Sequence, residues 1–175
     1  MLSNGIVVIL TNGFANRLRM LASSYVFTKK YNIPLKICWP QTDDCNISGN
    51  MVFKNINVEI VDIESVNKSN YMYFGRIHTK CIIPKIHEII NDMYVKYEYI
   101  IIEGGHEFKD DNMDVEEFIN AKSDYYKSIQ FNDGIEDRVK IFDKEHNLAE
   151  MIGIHYRDID KKHDLQDIKA NDLLN

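Results

Sequence analysis

The chain has 175 residues, with 21 Lys and Arg against 27 Asp and Glu, a formal charge of −6. Hydrophobic residues make up 45% and charged residues 27%, the mix of a globular domain. Net acidity and the lack of any run of five like charges exclude a concentrated basic face for nucleic acid. A chain of this length accommodates one domain, or one and part of a second, and buries roughly 70% of its unfolded surface without a disulfide or metal staple. The longest unbroken apolar stretch, residues 6–10, is far short of the roughly 20 residues of a membrane span or the roughly 7–15 of a signal-peptide core. Cys38, Cys45 and Cys81 form no CxxC pair and read as reduced thiols of a cytoplasmic protein. Isoleucine outnumbers leucine, and Asn, Lys and Tyr are frequent, the usage of an AT-rich genome such as that of a virus or bacterium.

In chain order, Gly5-Ile6-Val7-Val8-Ile9-Leu10 is a β-branched run without alternation, the mark of a parallel strand buried on both faces. The turn signal Thr11-Asn12-Gly13 follows, then a helix over 16–31. There Leu18, Leu21, Ala22, Tyr25 and Val26 make one apolar face, with Asn12 or Asn16 as its cap. Asn32-Ile33-Pro34 ends it, and residues 35–39 form the next strand, completing a βαβ unit. Residues 40–57 read as a long polar loop with one helical turn. Residues 58–61 are a strand, 71–78 are ambiguous, 84–94 are a helix with proline at its start, and 99–103 are a buried strand closed by Gly104-Gly105. Helices follow over 115–128 and 132–146, the latter with Ile135, Val139 and Phe142 as its inner face. Residues 151–155 read as a last strand. Alternating strands and helices define the α/β class.

Two segments carry candidate chemistry. Gly13-Phe14-Ala15-Asn16-Arg17-Leu18-Arg19 lies between the first strand and the first helix, where the helix start welcomes anions. Arg17 and Arg19 lie about 200° apart on a helix and do not face one ligand together. The plainer reading is a capped helix with two solvated arginines. His155-Tyr156-Arg157-Asp158-Ile159-Asp160 lies at the carboxyl end of the last strand. There an arginine fork suits a diphosphate and Asp160 can orient it or accept from a sugar hydroxyl. The plainer reading is a surface Arg–Asp pair; a metal site on His155 and Asp160 has no evident third ligand. Gly104-Gly105-His106-Glu107 reads as a plain turn. His78 and His87 lie on separate elements with no partner visible in the sequence.

In this order, the segments resemble the GDP-fucose-dependent fucosyltransferase superfamily of the GT-B fold, nearest the subgroup of nodulation-type α-1,6-fucosyltransferases and related bacterial and viral proteins. That family opens with a strand and a G-x-G-N-R-x-R-x-x-A loop-helix, which here reads Gly13-Phe14-Ala15-Asn16-Arg17-Leu18-Arg19-Met20-Leu21-Ala22. Its W-x-P-like strand end and following cysteine are matched by Trp39-Pro40 and Cys45. Its H-x-R-R-x-D motif is matched by His155-Tyr156-Arg157-Asp158-Ile159-Asp160, about 140 residues downstream. The likeness spans residues 5–160.

The resemblance implies the Rossmann-like N-terminal half of a GT-B glycosyltransferase, with a mostly parallel sheet flanked by helices. Residues 1–148 would be the acceptor-side domain, and 149–175 the first strand and motif of a donor domain that stops short. It implies inverting transfer of fucose from GDP-fucose to an acceptor hydroxyl, with no metal and no cofactor beyond the donor substrate. Arg157 would hold the donor's β-phosphate and stabilise the leaving diphosphate. Asn16 would be its catalytic counterpart across the cleft, and His155, Asp160, Gly13 and Arg17 would be donor-binding. The partners implied are a sugar nucleotide and a glycan acceptor. Two departures stand out: Ala15 replaces the family's second glycine, and Asp158 replaces its second motif arginine, setting a negative charge beside the expected phosphates. With the donor half incomplete, the expectation is weak or no independent activity. The alternatives are a non-catalytic α/β domain that binds a glycan or partner chain, or half of a split transferase completed by a second polypeptide.

Overall fold

The first strand, β1 (Gly5–Leu10), is buried along almost its whole length, as an apolar run without alternation requires. In the computed structural model, which describes residues 5–62, 64, 71–77, 81–83, 86–94 and 97–151, β1 is the centre of a five-stranded sheet. Its members are β2 (Leu35–Cys38), β4 (Glu59–Ile60), β5 (Tyr71–Ile77) and β7 (Tyr99–Gly104), and their order is β4-β2-β1-β7-β5. Every pairing in this sheet is parallel. Helices α1 (Phe14–Lys30), α3 (Ile86–Tyr94) and α4 (Val115–Ser128) flank it, and a short α2 (Gly49–Val52) lies in the connection after β2. The protein is therefore an α/β protein built on a parallel sheet, as the sequence predicts.

Side chains of β1 and β7 divide by parity. Ile6, Val8, Leu10, Ile100 and Ile102 join Met20, Leu21 and Phe27 of α1 and Ile86 and Ile90 of α3 in the main core. Val7 and Ile101 form a smaller cluster with Ile9, Val61 and Tyr99. Helix α1 is buried on more than its apolar stripe: Arg17, Ser23, Ser24 and Thr28 are buried too. Ser24 Oγ donates to the Met20 carbonyl at 2.8 Å and Thr28 Oγ1 to the Ser24 carbonyl at 2.7 Å, so these hydroxyls enter the core already satisfied. Neither Asn12 nor Asn16 caps α1. Gly13 is its N-cap, without a side-chain bond.

The long loop after β2 holds more structure than expected: α2, then β3 (Phe53–Asn55), which pairs antiparallel with β9 (Gln130–Phe131). Two further short strands, β6 (Cys81–Ile83) and β8 (Phe108–Asp110), pair in parallel, so Gly104-Gly105-His106-Glu107 links two strands.

The chain divides into two compact units, Met1–Val139 and Lys140–Asn175, and the sheet belongs to the first. Helix α5 (Asp133–His146) departs from expectation, because Val139 and Phe142 are exposed instead of facing inward. Its first turn is what the first unit holds: Ile135 packs on the core, and Lys54 pairs with Asp133 at 2.8 Å. In the second unit, Asp143 accepts from the Leu148 backbone N–H at 2.9 Å, ahead of a 3-10 turn, Leu148–Glu150. The strand expected over 151–155 lies, after Met151, outside the described residues. No helix among the described residues is long and apolar enough to cross a membrane.

Candidate functional site

In an open parallel sheet, ligands bind beyond the carboxyl ends of the strands, where the strand order reverses. Here β2 and β4 lie on one side of β1, and β7 and β5 on the other, so the switch point falls between β1 and β7. Leu10 and Gly104 are paired at its lip, and the Thr11 N–H donates to the Gly104 carbonyl at 2.9 Å. Asn12 then takes a left-handed conformation, φ 66°, which asparagine tolerates. This turns the chain into Gly13, whose carbonyl accepts the Asn16 and Arg17 N–H groups at 3.0 and 3.1 Å.

The loop-helix segment thus opens onto the switch point, and no acidic residue stands in the first turn of α1. Gly105, after β7, lies against the same loop. A Cβ there would meet Asn12 Nδ2 at 2.5 Å and the Thr11 carbonyl at 2.6 Å. At Gly13 a Cβ would meet only the Asp44 carbonyl at 3.7 Å, so there is open room beside it. The Thr11 hydroxyl is buried and has no hydrogen-bond partner among the described residues.

Arg17 is wholly buried. Its Nε donates to the Asn12 carbonyl at 2.7 Å, Nη1 to the Pro40 carbonyl at 2.5 Å and Nη2 to Thr42 Oγ1 at 2.8 Å, and its guanidinium lies over the Trp39 ring. Burial lowers its pKa, opposed by the nearby Cys45, Asp44 and Cys38; an arginine stays charged regardless. Arg17 is therefore a brace that fixes the loop after β1 to the loop after β2. It is neither a solvated arginine nor a group turned toward the opening. The outward-facing pair is Asn16 and Arg19: Arg19 Nη2 donates to Asn16 Oδ1 at 2.8 Å. The sequence signal for that pair was their i, i+3 spacing.

Next to this brace, beyond the carboxyl ends of β2 and β4, lies an open cleft of about 660 Å³. Its lining includes Pro40, Ser48, Asn50, Asp62 and Glu64. Volume and polarity suit a ligand the size of a sugar. Trp39 also borders it, but that ring is buried and its Nε1 donates to the Ile47 carbonyl at 3.1 Å, so it serves the core before any ligand. Sequence reasoning missed this cleft because its residues come from two separate segments, 38–50 and 60–64.

Of the residues singled out in the sequence, Gly13, Asn16 and Arg17 are brought together at the switch point. His155, Arg157 and Asp160 lie outside the described residues. His87, which shows no partner in the sequence, has one: its Nδ1 lies 2.9 Å from Asp110 Oδ2.

No protein-family model matches the chain, and no curated protein or solved structure matches it significantly.

Proposed function

We propose that the chain is a glycosyltransferase-like protein whose acceptor-side, Rossmann-like domain works at the carboxyl edge of this sheet, with a GDP-linked sugar of the fucose type as donor. The observation that carries this reading is the position of the Gly13–Ala22 motif at the switch point, beside a polar, sugar-sized cleft. Asn16 then faces the reacting sugar from the tip of α1, and Gly13 leaves space for it. Arg17 acts from behind, holding the two loops in register. Arg157, with His155 and Asp160, supplies the charge for the diphosphate, and the transfer needs no metal at that centre.

The test is a thermal-shift titration with GDP and GDP-fucose. Ligand at 100 times its Kd adds about 2.7 kcal/mol, which raises the Tm by roughly 5–10 °C in a chain of this length. Arg157→Ala should remove that shift, and Arg157→Lys should restore it only in part. No shift at millimolar nucleotide would reject donor binding by this chain. A second reading, a non-catalytic glycan-binding domain, is favoured by one observation: Asp158 sets a carboxylate where the family motif has an arginine. It predicts a shift with a fucosylated or acceptor glycan and none with GDP.

A further inference from the structure

At the opposite end of α1, about 25 Å from its first turn by the rise of a 17-residue helix, three elements converge on a different group. Helix α1 ends beside Tyr31, β8 ends at Asp110, with Asp111 next in the chain, and α3 begins at Ile86 with His87 in its first turn. His87, Asp110 and Asp111 each offer one ligand atom, and these atoms all lie within 4.8 Å of one another. We propose that His87, Asp110 and Asp111 bind a divalent transition-metal ion of the zinc class, clamping the start of α3 to the end of β8.

The first argument is the state of Asp110. It is completely buried, and its Oδ1 has no hydrogen-bond partner among the described residues. A buried carboxylate with an unused oxygen is costly. Its neighbours reach only the other oxygen: the Tyr31 hydroxyl donates to Oδ2 at 2.5 Å and His87 Nδ1 lies 2.9 Å from it. A His87–Asp110 pair alone therefore leaves Oδ1 bare. A divalent ion shared by a neutral imidazole and two carboxylates satisfies the group and balances its charge.

The second argument is the outer shell, which metal-binding histidines and carboxylates require for orientation. The Tyr31 hydroxyl is a donor aimed at the ligating carboxylate, 2.5 Å from Asp110 Oδ2. The Tyr31 ring stacks on the His87 imidazole, with centroids 5.2 Å apart and planes 8° from parallel, which fixes the ring plane. With Nδ1 on the metal, Nε2 must carry the hydrogen and needs an acceptor. The Asn112 side-chain amide lies 3.1 Å from it and presents its oxygen once the amide is turned over; Glu88 Oε1 lies 3.9 Å away. One imidazole with two carboxylates selects zinc-class ions over magnesium or calcium, which take oxygen ligands only. Asp111 is exposed and the His87 side chain is 16% exposed, so the ion enters from solvent and water completes its shell.

The experiment is calorimetric titration of the full chain at neutral pH with Zn²⁺, with Mg²⁺ and Ca²⁺ in parallel and native mass spectrometry for stoichiometry. One Zn²⁺ per chain is expected, with a rise in Tm and no saturable binding of the other two. Asp111→Asn, an exposed change that leaves the fold intact, should weaken Zn²⁺ binding at least tenfold. Tyr31→Phe keeps the ring and removes the orienting hydroxyl, and should weaken it by about 10–100-fold. His87→Gln should abolish it. If wild type takes up no Zn²⁺ at micromolar free metal, the proposal fails. It also fails if a single bound Zn²⁺ is indifferent to both Asp111→Asn and Tyr31→Phe, or if Mg²⁺ or Ca²⁺ binds in its place.

Discussion

The Arg17 guanidinium lies over the Trp39 ring, 5.4 Å from its centroid, and at the same time bonds to a carbonyl in each of two neighbouring loops, that of Asn12 after β1 and that of Pro40 after β2. One side chain therefore sets the spacing of the two loops that border the candidate site. The planar fork is what permits this. It gives three donors in fixed directions and a flat face for the indole.

Arg17→Lys is accordingly not a conservative change. Lysine keeps the charge but meets one partner where arginine meets three. The loss should be about 3 kcal/mol or more, since two hydrogen bonds to a charged donor are lost and each contributes roughly 1.5–3 kcal/mol. The Tm should fall by about 6 °C or more. Thermal melting followed by circular dichroism reads this directly. A Tm within a degree of wild type would mean that the brace carries no stability.

Gly105→Ala tests the other wall of the same crevice. The new Cβ would sit 2.6 Å from the Thr11 carbonyl, and backbone does not swing aside as a side-chain tip does. Overpacking of this kind costs about 1–3 kcal/mol. The two loops must separate, so Gly105→Ala should also weaken any ligand of the switch point more than its effect on stability alone implies. Comparing the ligand-induced Tm shift in Gly105→Ala with that in a destabilised variant far from the site, such as Tyr125→Phe, separates the two effects.

Much of the sheet is legible in the sequence because its central strands are uniform runs. Residues 6–10 and 100–102 are β-branched or leucine throughout, and only a strand buried on both faces calls for that. The 115–128 helix is legible too, and the structure gives it Asp114 as its cap. The pieces that are not legible are β3, β6, β8 and β9, each of two or three residues, too short to show any period. The candidate site is harder still. Arg17 looks like a surface residue because charge usually is, and its burial depends on a carbonyl and a hydroxyl, 23 and 25 positions downstream, taking up the load. Helix α1 hides its inward side for the same reason: Ser24 and Thr28 carry hydroxyls that are satisfied within the helix, so a buried face reads as polar. Val139 and Phe142 mislead in the opposite sense, being periodic, apolar and exposed.

Asp114 caps α4, accepting from the Glu116 and Glu117 N–H groups at 2.8 and 3.1 Å. The bonds from Glu117 and then Glu116 hold its carboxyl below the usual carboxylate range. The unfolded chain therefore binds this proton more readily than the folded one. The contribution is complete above the unfolded aspartate value, near about pH 3.9, and is lost as pH falls through the lower folded value. Asp114→Asn keeps an acceptor but not the charge, so wild type should exceed it in Tm at neutral pH by an amount that shrinks in acid. Asp114→Ala should lie below both at neutral pH. A wild-type advantage over Asp114→Asn that stays constant into acid would show that the charge plays no part.

Tyr125 works by the opposite sign. It is buried against Tyr25, ring centroids 4.1 Å apart, and its hydroxyl donates to the Ile56 carbonyl at 2.9 Å. Burial, and then the neighbouring Tyr25 and Tyr126, push its pKa well above the ordinary tyrosine value. Tyr125→Phe keeps the stack and strands the carbonyl, which costs about 1–3 kcal/mol for a buried acceptor left without a donor. In the folded protein the phenol resists ionisation, whereas in the unfolded chain it ionises near about pH 10. The stability it contributes is therefore complete below that pH and drains away as pH rises toward the folded value. Urea midpoints for wild type and Tyr125→Phe at about pH 9 and about pH 11 should show the gap between them narrowing, because only wild type carries the proton to be lost. A gap that is equal at both pH values would mean that the hydroxyl is not held in the core in this protonated form.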